Sequence, residues 1–137
     1  MLDPASLSSG RLTASLRTAV YLTALINLAV GLAFLLGPEI GLTLWPTPIP
    51  PVLMRFIGSI VLGNGVGAWL VARGGTWEGA RALVGVALVY GVVVLAALLY
   101  HLLVAGAPGV FWTYALIDAL FLAPIAYIYI AYERAAA

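Results

Sequence analysis

The sequence predicts an all-α, multi-pass membrane protein built as a four-helix transmembrane bundle. Of its 137 residues, 64% are apolar and only 8% are charged, whereas soluble domains are about 45–50% apolar and about 25% charged. Four stretches are long and apolar enough to cross a bilayer, and none shows the period-two alternation of a membrane barrel strand. Such a composition excludes a soluble domain, a disordered segment and a free nucleic-acid-binding protein.

The first predicted span covers residues 18–36, because this stretch is uncharged and ends at Gly37 and Pro38, a pair typical of helix ends. Crossing the hydrocarbon layer takes about 20 residues in a helix. A cleaved signal peptide is the alternative, but its apolar region has only about 7–15 residues and precedes a cleavage site with small residues. We therefore expect the first span to be retained in the membrane.

The three other spans are separated by short connections of different character. Between Trp45 and Pro51, four prolines in six residues favour extended backbone that redirects the chain at the membrane interface; a docking ligand is the alternative. Residues 74–79 predict a tight turn with Trp77 in the headgroup layer, and Pro124 predicts a kink in the last span. The predicted segments are an N-terminal cytoplasmic segment 1–17, spans 54–72, 82–105 and 110–132, and a cytoplasmic tail 133–137.

The arginines predict the orientation. Five of them lie before the first span, in the second connection or after the fourth span, and only Arg55 lies on the opposite side, where Glu39 offsets it. Since cytoplasmic loops are enriched in Arg and Lys, we expect both termini in the cytoplasm.

Small residues recur at intervals of four and predict where helices pack closely, as small-residue faces do in membranes. They face either the other helices of the bundle or a partner subunit. The positions are Gly31 in the first span, Ser59, Gly63 and Gly67 in the second, and Ala115, Ala119 and Ala123 in the fourth.

Polar side chains predict one cluster in the outer leaflet. At 1.5 Å per residue, Asp118 lies about 12 Å below the outer end of its span, and Arg55 and His101 lie about 5 Å below theirs. Because an ionisable group in the membrane needs a partner, we expect an Arg55–Asp118 pair with His101 and Tyr114 as neighbouring donors. The cluster is either a structural tie between the second and fourth helices, a site for a quinone, lipid headgroup or small solute, or a proton relay through His101 and Asp118.

Familiar catalytic and metal-binding patterns are missing from the sequence. The chain has no Cys and a single His, which excludes thiolate sites, a bis-histidine haem site and a histidine zinc site. No nucleophile elbow, phosphate-binding loop or zinc-protease motif occurs. We therefore expect neither an enzyme nor a metal or resident cofactor, although contact with quinone, lipid or pigment stays open.

Leu-rich spacing at residues 28–36, a Pro-bearing external loop and the run Arg55-Phe56-Ile57-Gly58 opening the second span resemble the DoxX-like small four-helix membrane proteins of bacteria. The resemblance covers about residues 20–105. It implies a bacterial source and an accessory role beside a redox complex, and it supplies no catalytic residues.

Two functions follow as expectations. The first is a non-catalytic accessory or scaffold subunit of a larger complex in the bacterial cytoplasmic membrane, respiratory or photosynthetic, with lipids and other integral membrane subunits as partners. The second is a small transporter or lipophilic-ligand binder that uses Arg55, His101 and Asp118.

Overall fold

A computed structural model describes residues 4–44 and 47–136, and helix is the only regular secondary structure of any length in these residues. The predicted all-α class is confirmed for this part of the chain. Its six helices are α1 (Pro4–Ser8), α2 (Ala14–Leu36), α3 (Pro38–Leu44), α4 (Pro51–Gly74), α5 (Trp77–Leu103) and α6 (Phe111–Ala136).

Four of the helices are long and apolar enough to cross a membrane, namely α2, α4, α5 and α6. They contain 23, 24, 27 and 26 residues, so each is about 35–40 Å long and exceeds the hydrocarbon thickness of about 30 Å. The predicted presence of four helices long and apolar enough to cross a membrane is therefore confirmed, and their insertion in a membrane stays a prediction.

The first connection contains a short helix, α3, that was not predicted and that precedes the proline-rich run. Pro38 opens α3 and Pro51 opens α4, because proline fits the first position of a helix, where its missing N–H is not needed. The extended prediction holds at Pro50, with φ −62° and ψ 141°. Trp45 and Pro46 lie outside the described residues.

The predicted turn over residues 74–79 is shorter in the structure. Gly74 still belongs to α4, and Gly75 ends this helix with a left-handed φ of 68° while its N–H bonds to the carbonyl of Val71 at 2.9 Å. Such a conformation suits glycine. Trp77 already belongs to α5, so Gly75 and Thr76 alone connect the two helices.

The chain forms two compact units. Residues Leu12–Thr76 contain α2, α3 and α4, and we call them the α2–α4 unit. Residues Met1–Arg11 and Trp77–Ala137 form the other, which contains α1, α5 and α6 and is called the α5–α6 unit. Within each unit the long helices are antiparallel, and their assembly into one four-helix bundle stays a prediction.

Glycines bring α2 and α4 into backbone contact. A Cβ on Gly31 would lie 2.5 Å from the backbone nitrogen of Leu62, and one on Gly65 would lie 2.8 Å from that of Leu28. A Cβ on Gly58 would lie 2.9 Å from the backbone nitrogen of Leu35. The two helices therefore pack closely because these positions have no side chain, as expected for helix association in lipid.

The contact with α2 does not use the small-residue stripe predicted on α4. A Cβ on Gly63 would meet no described atom within 4 Å, and Ser59 is exposed. Two residues of helix rotate the side-chain direction by about 200°, so Gly63 and Gly67 cannot share the face of Gly65. Residues seven apart, Gly58 and Gly65, form the contact with α2 instead.

The α5–α6 unit packs along a second line of contact. Trp77 stacks on Tyr132, and a Cβ on Gly91 would lie 2.9 Å from Cδ1 of Leu122. Of the three predicted alanines, Ala115 is buried, Ala119 is half-buried and Ala123 is exposed. Pro124 lies within α6, which continues on both sides of it.

Candidate functional site

Asp118 is the polar side chain that the α5–α6 unit places between its two long helices. Its Oδ1 lies 3.8 Å from the position that a Cβ of Gly91 would occupy. The glycine therefore makes the space on α5 that the carboxyl group of α6 uses. Asp118 is seven residues from the start of α6, about 10 Å along the helix, which places it well inside the apolar stretch.

The second oxygen of this carboxyl group lacks a hydrogen-bond donor among the described residues. Oδ2 of Asp118 is buried, and no described residue donates a hydrogen bond to it. A buried acceptor without a donor destabilises a protein by about 1–3 kcal/mol, and more if it is charged. Ionisable side chains within membrane helices are costly and usually have a partner. Asp118 therefore needs a donor or cation that its own helix pair does not provide.

His101 is not positioned to be that donor. It lies ten residues beyond Gly91 on α5, about 15 Å along the helix, and its exposed ring packs edge-on against Tyr100 at 5.6 Å between centroids. This corrects the prediction that His101 neighbours the carboxyl group. Its backbone carbonyl instead accepts a hydrogen bond from Ala107 in the connection to α6.

Tyr114 and Arg55 are the other two residues of the predicted cluster. Tyr114 lies one turn before Asp118 on α6, half-buried, with its ring 5.9 Å from that of Phe111. Arg55 is exposed in the first turns of α4, and its backbone carbonyl accepts a hydrogen bond from the Ser59 hydroxyl at 2.9 Å. Because α4 belongs to the other unit, the Arg55–Asp118 pair stays a prediction.

A second polar cluster lies at the opposite end of the α5–α6 unit and was missed in the sequence. Indole Nε1 of Trp77 donates to Glu133 at 2.9 Å, and Arg81 forms an ion pair with the same carboxylate. The hydroxyl of Tyr132 donates to the backbone carbonyl of Arg11 at 3.0 Å. Glu133 is thus the centre of a helix-pairing cluster and not simply a charge that ends the last span.

This second cluster also binds the backbone of Gly10 and Arg11, which follow α1. The backbone N–H of Trp77 donates to the carbonyl of Gly10 at 2.7 Å. Trp77 is 5% exposed and Tyr132 is 1% exposed, so their stacked rings are buried. The spacing of these residues in the sequence gives no signal of this contact, which depends on how α5 and α6 align.

Among the described residues, no three acidic or histidine side chains lie close enough together to hold a metal ion. No protein-family model matches the chain, and comparisons with curated proteins and with solved structures find no match either. The fold therefore defines the class by itself: an all-helical protein with four helices long and apolar enough to cross a membrane.

Proposed function

We propose that the protein is a multi-pass protein of the bacterial cytoplasmic membrane, with both termini in the cytoplasm. We further propose that it is a non-catalytic accessory or scaffold subunit of a larger membrane complex. Its described connections are short and most of its described residues are helical. The surfaces that it offers to a partner are therefore mainly those of its long helices.

The observation that carries the proposal is the face of α4 that does not contact α2. Ser59 and Gly63 lie there among exposed large side chains such as Phe56 and Ile60, and the position of a Gly63 Cβ is open. A row of small residues between large apolar ones lets the backbone of another helix approach closely. Contact with α2 does not use this row, so it remains for a further helix.

Native purification in a mild detergent tests this proposal. We expect the wild-type protein to co-purify with other integral membrane proteins at fixed stoichiometry. Gly63→Leu should keep its helix content but lose most of these partners, because the larger side chain separates the helices. Val86→Leu, which enlarges an exposed apolar side chain on α5, is the matched control and should retain them.

The alternative function is binding of a lipophilic ligand at Asp118, and its unpaired Oδ2 favours that function. The same purification distinguishes the two. A monodisperse homo-oligomer that carries a bound quinone or lipid, and loses it in Asp118→Asn, would contradict the subunit role and support ligand binding.

A further inference from the structure

The end of the α2–α4 unit where α2 begins and α4 ends carries two arginines. Nε of Arg17 donates to the carbonyl of Ala72 at 2.6 Å, and its Nη2 donates to that of Arg73 at 3.3 Å. Its Cζ lies 5.8 Å from the ring centroid of Tyr21. These contacts fix the guanidinium at the negative end of α4, where a cation is favourable.

Arg73 adds a second positive charge at the same end. It is exposed in the last turn of α4, and its guanidinium has no hydrogen bond or ion pair within the described residues of this unit. The one acidic residue of the unit, Glu39, follows the far end of α2, about 35 Å away along a helix of this length. No carboxylate of the unit therefore neutralises the two arginines.

Two glycines lie beside these arginines, of which Gly74 is exposed and Gly75 is buried. A Cβ on Gly74 would meet no described atom within 4 Å, and one on Gly75 would lie 3.7 Å from the guanidinium of Arg17. Because both positions are glycines, no side chain there covers that guanidinium. The exposed hydroxyl of Ser15, 3.3 Å from that of Thr13, lies in the first turn of α2.

We propose that this end of the unit, the Arg17–Arg73 site, binds the phosphate of an anionic phospholipid headgroup. The proposal rests on the membrane location proposed above, because that location puts the ends of α2 and α4 at headgroup level. Guanidinium groups bind phosphate oxygens with paired, charge-assisted hydrogen bonds. Free phosphate shares this chemistry, but a site beside two membrane-crossing helices favours the lipid.

Lipid titration of the purified protein, in micelles of a zwitterionic detergent, tests the proposal. Native mass spectrometry counts bound dioleoyl phosphatidylglycerol and gives its affinity. Arg73→Gln should weaken binding about fivefold, the effect expected for one arginine at a lipid surface. Arg134→Gln is the matched control: it removes the same charge from an exposed position on α6, next to Glu133, and should change the affinity less than twofold.

Arg17→Gln removes the contacts with the last carbonyls of α4 as well, so Arg17→Lys supplements it by keeping the charge. Equal losses in Arg73→Gln and Arg134→Gln would overturn the proposal in favour of general surface charge. Inorganic phosphate at equal concentration should neither bind nor compete, and competition would show a free-anion site. Extraction of membranes at alkaline pH tests the membrane location separately, and release of the wild-type chain would contradict membrane insertion. If the chain is retained in the membrane but shows no preference for the anionic lipid in the titration, that result would contradict this site alone.

Discussion

Replacing Gly31 by alanine is expected to give the largest loss of stability of any single-methyl change in the α2–α4 unit. The new Cβ would lie 2.5 Å from the backbone nitrogen and 2.7 Å from the Cα of Leu62. Backbone atoms cannot turn aside as a flexible side chain can, so α2 and α4 must separate. Overpacking of this kind costs about 1–3 kcal/mol. Thermal unfolding in detergent, followed by circular dichroism, should show a lower midpoint.

Gly63→Ala is the matched control for Gly31→Ala. It makes the same chemical change in a helix of the same unit, at a position whose Cβ would meet no described atom within 4 Å. Alanine favours helix over glycine by up to about 1 kcal/mol, so the isolated protein should be as stable as the wild type or slightly more so. Equal destabilisation by the two substitutions would contradict the assignment of the α2–α4 contact.

Trp77→Ala is expected to destabilise the α5–α6 unit by about 3–5 kcal/mol, the usual cost of truncating a buried tryptophan. The substitution removes the stacking of Trp77 on Tyr132, whose ring centroids are 4.7 Å apart. It also removes the edge-on contact with Tyr129 and the hydrogen bond to Glu133. Unfolding in detergent, measured as for Gly31→Ala, gives the size of the loss.

Two further variants separate the contributions at Trp77. Trp77→Phe keeps an aromatic ring but lacks the indole N–H, so it should cost only about 0.5–3 kcal/mol, the range for a hydrogen bond to a neutral or charged group. Trp112→Ala truncates a tryptophan that is 49% exposed on α6 and should change the unfolding midpoint little. An equal effect of Trp77→Ala and Trp112→Ala would mean that the buried cluster does not hold this unit together.

The four long apolar helices could be predicted because the length and apolarity of a stretch are visible in its sequence. The packing faces could not, since a membrane helix is apolar on every side and its sequence shows little periodicity. Spacing of four therefore pointed to Gly63 on α4. The structure uses Gly58 and Gly65 instead, seven residues and two helical turns apart.

In the candidate site, too, one feature could be predicted from the sequence and the others could not. Asp118 is conspicuous in the sequence because an acid in an apolar stretch is rare and costly. That it faces Gly91 depends on the alignment of α5 with α6, which the sequence does not display. The same alignment brings Glu133 to Trp77 and Arg81, and it leaves His101 too far along α5 to reach the carboxyl group.

Single-cysteine labelling tests most directly whether the four long helices cross a membrane with both termini in the cytoplasm. The chain contains no cysteine, so each introduced thiol is unique. With a membrane-impermeant maleimide on intact spheroplasts, Thr47→Cys and Gly109→Cys should be labelled at once. Thr76→Cys and Ala135→Cys should be labelled only after permeabilisation. Labelling of Ala135→Cys in intact spheroplasts, or of all four positions from one side, would contradict the proposed membrane arrangement.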